Sequence, residues 1–141
     1  MKKLFAMLLA LVMALTLVAC GEQGGNDPQG GATGDKVIKI GVFEPQSGDN
    51  GAGGKQEILG MQYANKMFPT VTVGGEEYQV ELVYADNASS NDKAPTAAQT
   101  LISQGVSVVL GSYGSGVSIA AGDTFSAAQV PAIGVTCTNP Q

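Results

Sequence analysis

The sequence predicts an α/β fold with a parallel, doubly wound sheet. Three observations carry that expectation. Short apolar runs rich in Val and Ile recur at 37–43, 80–85, 106–110 and 132–135, as buried strands of a parallel sheet do. Between them lie stretches with helical apolar spacing, at 54–68, 93–104 and 119–128. The resulting order, β-α-β-α-β-α-β, is the pattern of parallel neighbours joined by right-handed crossovers.

The chain opens on a targeting segment, residues 1–19. Lys2 and Lys3 form its positive end, and residues 4–18 are an uncharged apolar run. That run is shorter than the ~20 residues that span a bilayer and matches a signal h-region. It closes on Leu17-Val18-Ala19-Cys20-Gly21, which resembles the bacterial lipobox, where a peptidase cuts before the Cys and its sulfur receives a diacylglycerol. The competing reading is an ordinary signal peptide or an uncleaved anchor with an incidental Cys. Residues 20–35 then supply the lipidated Cys20 and a flexible tether. Residues 22–35 hold no large apolar side chain, so the tether cannot bury a core, and its random-coil reach is on the order of 20 Å.

From Lys36 the composition becomes that of a globular domain, residues 36–141. The first strand, 37–43, runs into Glu44-Pro45-Gln46-Ser47-Gly48, a loop of turn formers. Helix 54–68 carries Ile58, Leu59, Met61, Ala64, Met67 and Phe68 at helical spacing, and Pro69 stops it. Residues 71–78 read as a small hairpin or extended excursion around Gly74-Gly75. The second strand, 80–85, ends at Asp86-Asn87. Ser89, Ser90, Asn91 and Asp92 are N-cap candidates for helix 93–104, whose first turn tolerates Pro95 and which Gly105 ends. The third strand leads through Gly111-Ser112-Tyr113-Gly114-Ser115-Gly116 into helix 119–128. After Pro131 the fourth strand, 132–135, opens into Thr136-Cys137-Thr138-Asn139-Pro140-Gln141. The chain stops where a fourth helix would begin, so the expectation is the front part of a longer protein.

Composition narrows the chemistry. There is no His, no Trp and no Arg, and all seven cations are Lys. The missing His removes the commonest general base and a common metal ligand. A net charge of −5 with no Arg speaks against nucleic acid, which needs clustered cations. Loss of a signal peptide would also remove Lys2 and Lys3 and make the remainder more acidic. Such a protein binds a carboxylate through N–H dipoles and hydroxyls.

Two loops supply those groups at the carboxyl edge of the sheet, where open α/β folds bind ligands. In the first, a helix N-terminus favours an anion, and Ser115 with its neighbours is expected to cup a small-molecule carboxylate. Phosphate motifs fail here. Gly111 and Gly116 have P-loop spacing, but Val117 stands where Lys is required. The dinucleotide fingerprint lacks its third glycine, and Ser115 is not in a G-x-S-x-G elbow. The plain alternative is turn residues and a helix cap. In the second loop Cys137 is a lone thiol with no His to activate it, better read as wall than as nucleophile. Glu44, Asp86 and Asp92 are candidates to cluster at strand ends, and solvated loop carboxylates or caps explain them equally well. No metal-ligand spacing occurs.

The pattern from Ile40-Gly41-Val42 through Ser47-Gly48, then Gly60-Met61-Gln62-Tyr63-Ala64, resembles the leucine/isoleucine/valine-binding (branched-chain amino acid) type of ABC-transporter substrate-binding lipoprotein. So do Tyr84-Ala85-Asp86-Asn87, residues 97–101, Val108-Val109-Leu110-Gly111 and Cys137-Thr138-Asn139-Pro140. The resemblance implies the first lobe of a type I periplasmic binding protein, a fold of two α/β lobes that close on a ligand. It implies that Ser115 and Thr138 meet the ligand α-carboxylate, with Tyr113, Gly114, Thr136 and Cys137 as wall. It further implies permease subunits as partners, a lipid anchor at the outer face of the cell membrane, no cofactor and no catalysed reaction. Two departures stand out. An aromatic often found over the ligand in the first loop has no counterpart at 49–55, and the second-lobe carboxylate for the ligand ammonium would lie beyond Gln141. A sensor domain of the same fold on a signalling receptor, or a secreted enzyme with its catalytic residues elsewhere, are the rival expectations.

Overall fold

The structure, a computed structural model, describes residues 36–140. The signal segment, Cys20 and the tether expected above lie outside them. The described elements are β1 (Val37–Val42), α1 (Gly51–Met67), β2 (Thr70–Val73), β3 (Glu76–Tyr84), α2 (Ala94–Ser103), β4 (Val108–Leu110), α3 (Ser115–Ala127) and β5 (Ala132–Ile133). No helix among the described residues is long and apolar enough to cross a membrane.

The strands form one five-stranded sheet in the order β2-β3-β1-β4-β5. β1 pairs parallel with β3 and with β4, and β4 pairs parallel with β5. The order reverses at β1, since β3 is added on one side of it and β4 on the other. That makes the β1/β4 junction the switch point of the sheet, where the loops after the two strands diverge. Register aligns the strand ends: Val42 lies opposite both Tyr84 and Leu110, and Leu110 opposite Ile133. The loops after β1, β3, β4 and β5 therefore leave along one edge.

Several element boundaries differ from the expectation, each for a physical reason. Of the two readings of residues 71–78 the hairpin holds and the extended excursion does not. Its second arm is continuous with the strand expected at 80–85. β2 pairs antiparallel with a continuous β3, so the parallel sheet gains one antiparallel edge strand. Gly74 and Gly75 have φ of 61° and 84°, the pair of positive angles that a two-residue type I′ hairpin turn requires. α1 begins at Gly51 instead of residue 54. Its glycines are poor helix formers, but Gly54 is buried so closely that an added Cβ would come 2.1 Å from the Pro45 carbonyl oxygen. Packing outweighs propensity there.

Residues 89–92 do not cap α2 through their side chains. Its N-cap is Lys93, with no side-chain cap bond, and the Ala94 N–H donates to the Ser90 carbonyl at 3.0 Å. The Ser89 hydroxyl is committed elsewhere, accepting the Asn50 N–H at 2.9 Å. α3 starts at Ser115, four residues before the expected start, so the residues read as a loop form its first turn. It ends with Gln129 at φ 56° and Val130 N–H bonded to the Phe125 carbonyl at 3.0 Å, a left-handed cap of the Schellman type. β5 keeps only two of the four residues expected.

Alternation along the strands makes two faces. Phe43, Val83, Ala85 and Val109 face α2 and α3 and are buried with Ala94, Ala97, Ala98, Leu101, Val117, Ala121 and Phe125. Alanines on the helices let the backbones approach closely. Phe43 and Phe125 meet edge to face with ring centroids 5.4 Å apart, a favoured aromatic geometry. On the other face lie Ile40, Val80, Leu82 and Leu110, partly covered by α1, whose Gly60, Met61 and Ala64 line the same space.

Candidate functional site

The β4–α3 loop and the loop after β5 meet at the carboxyl edge. Gly114 is the N-cap of α3, extended at φ −112° and ψ 124°, and Ser115 is the first helical residue. The Ser115 Oγ accepts the N–H groups of Thr138 at 3.1 Å and Asn139 at 3.2 Å. Its acceptor capacity is thereby used and its own O–H remains as a donor. The N–H groups of the first turn of α3 have no intrahelical partner. One turn on, the Ser118 hydroxyl accepts the Ser112 N–H at 3.1 Å and lies 3.0 Å from the Cys137 sulfur. Cys137 also donates to the Ser112 carbonyl at 3.4 Å, and the Thr136 hydroxyl to the Tyr113 carbonyl at 3.5 Å. A depression of about 390 Å³ opens beside Ser115, between Ser118, Cys137 and Asn139.

All six residues singled out from sequence are therefore brought to one place. Ser115 and Thr138 touch. Tyr113 and Thr136 are exposed, Gly114 and Cys137 half-buried, and the Thr138 side chain stands at the surface. The Cys137 thiol is held by hydroxyl and carbonyl groups. The Gly-rich stretch 49–55 makes room for an aromatic instead of supplying one. A Cβ on Gly53 would come within 2.5 Å of the Tyr113 ring.

A second layer beneath the loops was not apparent from sequence. Glu44, read as a solvated loop carboxylate, is 0% exposed. Its Oε2 accepts the Tyr113 N–H at 2.8 Å. Burial pushes the Glu44 carboxyl up to about 8, and the neighbouring Glu57 adds to the rise. Asn87 is equally buried and donates to the Phe43 carbonyl at 3.0 Å and the Ser112 hydroxyl at 3.1 Å. It thus fastens the ends of β1 and β3 to the β4–α3 loop. Asp86 gathers the neighbouring turns. Its carboxylate accepts the N–H of Gln46 and of Ala88, both at 2.8 Å, and the Ser47 hydroxyl at 2.7 Å. Partial burial raises the Asp86 carboxyl, but the Ser47 hydroxyl and those N–H groups outweigh it and hold it below its usual range. Asp92 is exposed. The one sequence signal for Glu44 was its place directly after a buried strand, ahead of a proline.

Residues 37–141 match the periplasmic binding protein family. The chain belongs to that family. Over 111 residues it is 32% identical to Leu/Ile/Val-binding protein homolog 2 of Brucella abortus (strain 2308), covering 78% of this chain and 29% of that protein. Among solved structures it resembles the leucine-binding protein LivK of Thermotoga maritima MSB8, with a TM-score of 0.67 and 31% identity over 74% of this chain and 29% of the other. It also resembles the branched-chain amino acid transporter substrate-binding protein LivJ of Streptococcus pneumoniae in complex with isoleucine, with a TM-score of 0.65 and 32% identity over 74% of this chain and 30% of the other. The chain thus spans under a third of the length of these relatives. The α/β lobe expected from sequence is the fold of this family.

Proposed function

We propose that this chain provides one lobe of an extracytoplasmic solute-binding subunit that delivers a branched-chain amino acid, or a similar small polar solute, to an ABC importer. The observation that carries the reading is the junction of Ser115 and Thr138 at the N-terminus of α3. The ligand carboxylate sits there, on the Ser115 and Thr138 hydroxyls and the unpartnered N–H groups of the first helical turn. Helix polarity favours the negative charge, and neutral donors suffice in a chain without arginine. Tyr113, Gly114, Thr136 and Cys137 wall the site. The leucine and isoleucine in the names and complexes of the relatives support the ligand class. Binding, with closure against a second lobe, is the functional step, and no bond of the solute is broken.

Acylation of Cys20 would tether this lobe at the outer face of the bacterial membrane, with permease subunits as partners. A single acyl chain anchors only marginally, so retention needs more than one. Fatty-acid labelling of the cell protein should be lost in Cys20→Ala; equal labelling of the variant would refute the anchor. For the ligand, calorimetric titration of the protein from its complete reading frame against leucine, isoleucine, valine and a panel of other amino acids is the test. The branched-chain members should bind tightest. Binding of none of the panel would overturn the ligand class.

A further inference from the structure

Glu44 and Glu57 form a carboxyl pair directly under the ligand loop, and no cation among the described residues accompanies it. Glu44 is fully buried at the end of β1, and one oxygen accepts the Tyr113 N–H at 2.8 Å. Its other oxygen, and both oxygens of Glu57, are buried without a protein donor. Gly111 makes the space: at φ 122° it passes so close that an added Cβ would lie 2.7 Å from Glu44 Oε1. Among the described residues Glu57, from α1, is the charged group that faces Glu44. The β4–α3 loop presents the Tyr113 N–H and the uncharged Ser112, and the end of β3 presents the uncharged Asn87. The Tyr113 ring lies against Gly53. Two ionised carboxylates in that position would be unpaired buried charges of like sign. One proton resolves the conflict, because a protonated carboxyl is a donor and can bond to its neighbour.

The same helix holds Tyr113 from two sides. Gly53 and Glu57 are four residues apart on α1, on one face. Gly53 lies against the Tyr113 ring, while Glu57 lies against the carboxyl that holds the Tyr113 N–H. We propose that Glu44 and Glu57 share one proton, and that this proton keeps α1 and the Tyr113–Ser115 segment together in the ligand-receptive arrangement. The inference rests on the binding role proposed above only in calling that arrangement ligand-receptive. Loss of the proton sets Glu44 against Glu57, drives α1 from the loop and weakens the clamp on Tyr113. Glu44 is a positioning residue in this scheme and touches no ligand. Because burial pushes its carboxyl up to about 8, the arrangement persists at neutral pH and fails in alkaline solution. Ligand affinity then falls by at most about tenfold per pH unit above the midpoint.

The test follows the Tyr113 amide resonance in ¹⁵N-tyrosine-labelled protein from the complete reading frame, from about pH 6.5 to about pH 9.5. Leucine titrations over the same range accompany it. In wild type the resonance should move with a midpoint near 8 and the leucine affinity should fall with it. In Glu44→Gln, whose amide can donate to Glu57 and accept from Tyr113, both should be flat. Should that variant not fold, Glu57→Gln serves: without the like charge the midpoint moves to lower pH. A wild-type resonance that stays flat overturns the proposal whether or not leucine binds. So does a titrating resonance with an unchanged leucine affinity. A titrating resonance in a protein that binds none of leucine, isoleucine or valine upholds the shared proton and overturns the ligand class instead.

Discussion

The two faces of the sheet are made from alternate residues of the same strands, and they are finished differently. One face is sealed: Phe43, Val83 and Val109 are buried under α2 and α3, and Leu101 and Ala121 are 0% exposed. Among the described residues the other carries α1, with a cavity of about 600 Å³ between that helix and Ile40, Leu82 and Leu110. On α1 itself Leu59, Tyr63 and Met67 are more than half exposed. The difference teaches where the site gets its precision. Ser115 begins the helix that the sealed core holds through Val117, Ala121 and Phe125. Glu44 and Glu57 belong instead to the side that α1 covers. The groups proposed to hold the ligand carboxylate thus stand on the sealed half, and the Glu44–Glu57 pair on the half that α1 partly covers.

That contrast can be broken by mutation. Truncating Phe125 to Ala on the sealed face should cost about 3–5 kcal/mol, the lost burial plus a cavity. Leu59→Ala on the exposed surface of α1 should stay within about 0.5 kcal/mol. Denaturant unfolding of both variants is the check, and equal losses would mean that the faces are equally sealed. A pH dependence sharpens the comparison. The Glu44 carboxyl is raised from 4.5 to about 8 in the folded state, so the native protein binds the extra proton between those values. Its contribution to stability is complete below the lower value and is lost as pH rises toward the upper one. The melting temperature should therefore decline across that window in wild type and less in Glu44→Gln. Parallel declines would place the pH dependence elsewhere.

Much of the fold was legible because it depends on local pattern. β-branched runs, Pro69, Gly105 and Pro131 mark strands and helix ends whatever packs on them. Two of the misread features involve contacts between segments far apart in sequence. Gly54 is helical because Pro45 lies against it, and the hydroxyl of Ser89 is taken by the Asn50 N–H. The site shows the same division. The two hydroxyl-bearing loops at the carboxyl edge were legible from Gly, Ser and Thr following strands, while the choice of Thr138 within the second came from the family resemblance. The two side chains' segments do meet there. Glu44 was not legible, because nothing local distinguishes a buried carboxyl from a solvated one. Its burial comes from Gly111 passing over it and from α1, both distant in the chain. Tyr113 was assigned to the wall, but its ring reaches the first turn of α1, which only the packed structure reveals.

The most direct test of the account is the leucine affinity of Ser115→Ala and Thr138→Val in the protein from its complete reading frame, each measured by calorimetric titration beside a thermal melt. A hydrogen bond to a charged group is worth about 1.5–3 kcal/mol, so each variant should bind about ten- to a hundredfold more weakly than wild type. Ser115→Ala should be the more severe, since it also removes the acceptor that ties Thr138 and Asn139 to α3. Both should melt as wild type does, because neither side chain belongs to the buried core. If both variants retain wild-type affinity, the two loops are turns and a helix cap, and the carboxylate is held elsewhere.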